Sequence, residues 1–201
     1  MAKQATPRND NMRLAVAQET ARIMAQQSLT DFYLAKHKAA ERLGASAQSL
    51  PSNREIEQAL LEYQKLFGGR QYEDSLNSLR RAAVKAMQGL RQFDPQLVGA
   101  VLTGAAHSNS EVQLHVFTDT PEQVALTLIA QGIPYHAGER QQRYGGERSK
   151  NCPCFTFVAG EVVFELLVFT LDGLREAPLS PVNGRPIRRA RTAEVQALLS
   201  N

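Results

Sequence analysis

The chain has 201 residues, enough for one large domain or two small ones with a real core. Its make-up, 43% hydrophobic and 21% charged with no tryptophan, is that of a soluble globular protein. No apolar run approaches the roughly 20 residues that span a bilayer, and the opening "MAKQATPRNDNM" lacks the apolar core of a secretory signal, so a frayed tail, no membrane partner and a cytoplasmic location are expected.

Lys and Arg number 23 against 20 acids, a net charge of +3. The excess lies early: residues 1–92 hold 14 basic and 9 acidic side chains, leaving 9 and 11 for residues 93–201. That distribution admits a phosphate-bearing partner, nucleic acid included, without requiring one. The two cysteines, Cys152 and Cys154, flank Pro153 and share one face of a strand. Two soft ligands fall short of a closed zinc site, which uses about four, so buried reduced thiols are expected.

The first half reads as helices. "NMRLAVAQETARIMAQQ" puts Leu14, Ala17, Ala21, Met24 and Ala25 on one stripe. Thr30 or Asp31 caps the next helix, "FYLAKHKAAERL", which Gly44 stops; its Lys36, His37, Lys38 and Arg42 form a solvated face. Ser52-Asn53-Arg54-Glu55 spells a capping box, opening a helix that carries Ile56, Leu60, Tyr63 and Phe67 on one side and ends at Gly68-Gly69. A fourth helix, about Glu73 to Gln92, carries Leu76, Leu79, Ala83, Met87 and Leu90, and Asp94-Pro95 closes it.

Beyond Phe93–Pro95 the period changes. "QLVGAVLT" and "EVQLHVFT" are strand-like, and in the second Val112, Leu114 and Val116 alternate with Glu111, Gln113 and His115. Thr120 to Gln131 is a short helix. "GIPYHAGE" suits an edge strand because of Pro134, and "RQQRYGGERSKN" reads as a basic loop. "CFTFVAGEVVFELLVFT" is a hairpin turning at Ala159-Gly160, and the tail is a turn followed by a closing helix. The expected fold is α+β: a helical region over 1–72, then a mixed sheet with flanking helices over 73–201.

Carboxylates two apart on a strand emerge from one face, where hard oxygens can hold Mg²⁺ against a triphosphate. A Gly-small turn before such a strand lets backbone amides approach phosphate. The order helix, strand ending in Gly104-Ala105, strand opening Ser110-Glu111-Val112-Gln113, helix, and hairpin bearing Glu165 resembles the DNA polymerase β-like nucleotidyltransferase superfamily. As a resemblance, this implies a nucleotidyltransferase-like sheet with Glu111 and Glu165 holding Mg²⁺ or Mn²⁺. Gln113 would stand in for a second acid, and Gly104, Ala105, Ser110 and Arg143 would meet a nucleoside triphosphate. The activity so implied moves a nucleoside monophosphate to an acceptor. The chain departs from the family pattern: Glu111 is one methylene longer than the usual aspartate, Gln113 adds no charge, and the stretch from Gly104 to Glu111 is short.

Each candidate has a plainer reading. Glu111 and Gln113 also suit the solvated face of a half-buried strand. Glu165 interrupts an apolar run and needs water, a cation or a metal. His115 suits a base, a softer metal ligand or a hydrogen-bonded histidine, and His107 the last of these. Arg140, Arg143, Arg148 and Lys150 suit a phosphate clamp or an exposed loop, as do Arg185, Arg188, Arg189 and Arg191. Phosphate-loop, dinucleotide-fingerprint, nucleophile-elbow and HExxH patterns are missing. The alternative to transfer is a non-catalytic protein of the same fold that binds a nucleotide, a nucleic acid or a protein.

Overall fold

The computed structural model describes residues 7–200, which fall into two compact units. The first spans Met1–Glu73 with Pro181–Asn183, and the second holds Asp74–Ser180 and Gly184–Asn201.

In the first unit, α1 (Pro7–Gln27) starts earlier than the sequence suggested, with proline at its first turn and Asp10 near the helix dipole. The expected frayed tail is therefore helix from Pro7 onward; residues 1–6 lie outside the described residues. Asp31 caps α2 (Phe32–Leu43) by accepting from the amides of Tyr33 and Leu34, and Gly44 ends it in the left-handed conformation. Both halves of the Ser52–Glu55 capping box form at α3 (Asn53–Tyr63). The buried face of α1 is Val16, Ala17, Thr20, Ala21, Ile23 and Met24, packed on α2 and α3, whereas Leu14 is exposed. Alanines at 35, 39 and 59 let these helices approach closely. Instead of stopping at Gly68-Gly69, the helix loosens into a π-helical turn over Gln64–Gly68 that runs into α4 (Gly69–Gly89). The wider turn breaks the 3.6-residue period, so Phe67 points outward instead of joining the buried side.

The second unit is built on α4 and a five-stranded mixed sheet. Leu76, Leu79, Ala83 and Met87 of α4 are buried, as their spacing predicts. Strand β1 (Gln96–Val98) is short, because Gly99, at φ +71°, turns the chain into α5 (Gly99–Thr103). The long strand expected over "QLVGAVLT" is thus a three-residue strand and a helical turn. Strand β2 (Val112–Phe117), α6 (Glu122–Ala130), β3 (Tyr135–Arg143), β4 (Ser149–Ala159), β5 (Val162–Phe169) and α7 (Thr192–Ala197) follow. The sheet order is β1-β2-β5-β4-β3; β2 and β5 run parallel and every other neighbouring pair antiparallel.

The β4–β5 hairpin turns at Gly160, at φ +66°. The segment read as a loop over "RQQRYGGERSKN" is mostly paired strand, and only residues 144–148 connect β3 to β4. Pairing with β4 supplies the order that β3's polar sequence does not signal.

The sheet's two faces differ. One carries Val112, Leu114, Val116, Phe164, Leu166 and Val168, all buried, with Phe157 stacked on Phe164 at 5.1 Å. The other carries Gln113, His115, Phe117, Glu165, Leu167, Phe169, Cys152 and Cys154, a mixture of apolar and chemically active groups. Among the described residues no helix is long and apolar enough to cross a membrane.

Candidate functional site

Parallel pairing sets Gln113 directly opposite Glu165, and the β4–β5 ladder sets Thr156 on its other side. Glu165 is 6% exposed, in the middle of a strand whose neighbours are apolar. A carboxylate there needs partners for both oxygens. The Gln113 side-chain amide donates to Oε2 at 3.0 Å. The Arg140 guanidinium donates from Nε to Oε1 at 2.9 Å. The Cys154 thiol lies 3.6 Å from the same Oε1.

Gln113 is held from behind by Gly99. A Cβ built on that glycine would lie 2.5 Å from the Gln113 Oε1, so no side chain fits between them. The close glycine of this site is therefore Gly99, followed by the small Ala100. Gly104, at φ +90°, ends α5 with its amide donating to the Ala100 carbonyl, and it does not close a strand as expected. Ala105 is buried just after it. With the strand-ending glycine at 99, residues 100–110 separate it from Glu111, so the stretch is longer than a count from Gly104 suggests.

Ser110 is buried and closes this stretch on itself. Its hydroxyl accepts from the His107 amide at 3.0 Å, and its own amide donates to the His107 carbonyl at 3.0 Å. His107 is half-buried, and burial lowers its pKa. Glu111 lies one residue ahead of β2, exposed, with no ion pair or hydrogen bond to its carboxylate among the described residues. Strand alternation places it on the Gln113 face.

His115 continues that face but is 1% exposed. Its Nδ1 accepts from Arg189 Nε at 3.0 Å, and burial together with the Arg189 charge pushes its pKa down to about 3. A neutral, enclosed imidazole is unsuited to shuttle protons with solvent. Arg189 also donates to the Gly173 carbonyl at 2.7 Å and lies about 5 Å from the rings of Phe117 and Phe169. It forms a half-buried cation–π cluster that local sequence does not single out from its arginine run.

Of the four basic residues between 140 and 150, only Arg148 and Lys150 meet, both lying over the Tyr144 ring, at 5.9 and 5.7 Å from its centre. Arg140 faces Glu165. Arg143, three residues on, projects to the opposite face of β3 and is exposed. Arg148 also pairs with Glu176. Cys152 and Cys154 are free and buried; burial raises both thiol pKa values, and the nearby Glu165 charge adds to the effect at Cys154.

A Mg²⁺ or Mn²⁺ ion needs anionic oxygens whose charge is not already balanced. Glu165 has its charge matched by Arg140, and Gln113 turns an N–H, not an oxygen, toward it. Among the described residues no group of three or more His, Cys, Asp or Glu side chains could hold a metal ion. The donor set does not fit the ion. No family model, curated protein or solved structure matches the chain.

Proposed function

We propose that the chain is a non-catalytic protein with a nucleotidyltransferase-like sheet, binding a nucleotide where β1 ends and β2 begins, without transferring its phosphoryl group. One observation carries this reading: the buried Glu165 carboxylate is charge-paired with Arg140 and hydrogen-bonded by Gln113, so it has no spare charge for a divalent ion. Arg140 supports a binding role, because its side chain is 55% exposed and guanidinium N–H groups suit phosphate oxygens.

The test is calorimetric titration of the wild type and Glu111→Ala with ATP and with CTP, alongside incubation with α-labelled nucleotide and Mg²⁺ or Mn²⁺. Binding that survives Glu111→Ala, with no label released or transferred, is the expected result. Metal-dependent binding lost in Glu111→Ala, together with label transfer, overturns it.

That overturning outcome defines the second reading, a metal-dependent nucleotidyltransferase. What favours it is Glu111 itself, exposed and uncommitted two residues ahead of Gln113 on the Glu165 side of the strand. Gln113→Asp separates the two readings. For an enzyme, the added acid tightens divalent-ion binding. For a binding protein, it sets a carboxylate against Glu165 and lowers stability with no gain in metal affinity.

A further inference from the structure

Arg140 is anchored on one flank only. Its Nε is fixed on the buried Glu165, its Nη1 makes a long 3.4 Å bond to the Glu139 carbonyl, and its side chain is 55% exposed. Among the described residues Nη2 has no partner. The guanidinium thus reaches from the edge strand over β4 to β5 and keeps its outer fork toward solvent. The surface beside it is open: Gly138, two residues earlier on the same face, has nothing within 4 Å of where a Cβ would stand. Lys150 shares this face, two positions along β4 from Cys152, the residue paired with Arg140.

An arginine oriented through Nε by a carboxylate loses little further freedom when its outer N–H groups meet a planar pair of oxygens. Such an outer fork matches phosphate geometry. The pair with Glu165 is neutral as a whole, so what Arg140 offers a phosphate here is directed N–H donors and not net charge.

We infer that Arg140, held in place by Glu165, is the resident cation of a phosphate site, so that the polyphosphate group of a nucleotide is bound here without any divalent metal. This rests on the nucleotide-binding reading above and adds which chemical part of the ligand is recognised and by which atoms. Glu165 then acts as a positioning residue, since it aims the guanidinium and does not touch the ligand.

The experiment is calorimetry in excess EDTA with three probes, ATP, inorganic tripolyphosphate and adenosine, on the wild type, Arg140→Gln, Arg140→Lys and Glu165→Gln, each checked for folding by circular dichroism. The expected result is tripolyphosphate binding by the wild type that weakens at least tenfold in Arg140→Gln. Arg140→Lys, which keeps the charge and loses the fork, recovers part of it. Glu165→Gln weakens tripolyphosphate and leaves adenosine unchanged, a split that general destabilisation does not produce. If Arg140→Gln misfolds, the soluble Arg140→Lys protein against wild type carries the comparison.

Equal tripolyphosphate affinity in the wild type and the arginine variants overturns the inference. So does a strict Mg²⁺ requirement. Adenosine binding without tripolyphosphate binding also overturns it while leaving the nucleotide-binding reading standing. If none of the three probes binds with or without Mg²⁺, that reading falls as well.

Discussion

Arg140 Nε lies 2.9 Å from Glu165 Oε1, on strands separated by β4, so the ion pair bridges three strands of the sheet. Glu165 is nearly buried while Arg140 is half in water. Removing the cation leaves a buried carboxylate supported, among the described residues, only by Gln113 and Cys154. Arg140→Ala should destabilise the fold by about 1–3 kcal/mol, well short of the cost at a fully buried pair because the exposed guanidinium is screened. Urea denaturation measures this as a lower midpoint at unchanged slope; an unaltered midpoint would show the pair to be energetically idle.

Gly99→Ala tests the hold on Gln113. The substitution suffers twice: φ is +71°, and the new methyl would press on the Gln113 amide at 2.5 Å. Gly44→Ala is its control, with φ +60° and open space around the added carbon. The expected loss is about 1 kcal/mol for Gly44→Ala and about 2–4 kcal/mol for Gly99→Ala. Thermal unfolding that ranks the two the other way round would refute the close contact.

His115 gives the fold an acid sensitivity. In the native state its pKa is pushed down to about 3, from 6.5 in the unfolded chain. Between those values the unfolded chain binds the extra proton, so this contribution is fully present above pH 6.5 and is lost as pH falls toward 3. It amounts to something on the order of 5 kcal/mol. His115→Gln retains an acceptor for Arg189 and cannot titrate. Its unfolding free energy should therefore fall less steeply between pH 7 and pH 4 than that of the wild type. Parallel slopes for the two proteins would be inconsistent with a buried neutral imidazole.

Cys152 and Cys154 should both resist iodoacetamide in the native protein at neutral pH, since burial shields them and raises their thiol pKa values. Mass spectrometry after brief labelling should find unmodified native protein and two labels once urea is added. Rapid native labelling of either residue would mean that this face of the sheet opens readily.

Much of the fold was legible because its signals are local. The Asp31 and Gly44 caps, the Ser52–Glu55 box and the Gly160 hairpin each lie within a few residues of what they control. The break at Gly99 was not legible, since "LVGAVL" suits a buried strand and a buried helical turn equally. Strand β3 was half hidden because "AGERQQR" has no apolar alternation and is ordered by its neighbour.

Glu165 stood out as an acid in apolar company, and its need for a partner could be stated in advance. Which partner it takes depends on the β3–β4 and β4–β5 registers together, and no short window contains them. Arg189 is the same case in sharper form: four arginines lie between 185 and 191, and only tertiary packing selects the one that meets His115.

The parallel pairing of β2 with β5 also sets an order of events for a nascent chain. Strands β3, β4 and β5 are consecutive antiparallel neighbours and can zip together as they emerge. Strand β2 leaves the ribosome earlier, yet Gln113 waits 52 residues for Glu165, and until then only the short β1 lies alongside it. The edge of β2 that will face β5 therefore stays unpaired through that interval, and an unpaired strand edge in a growing chain is open to pairing with another chain.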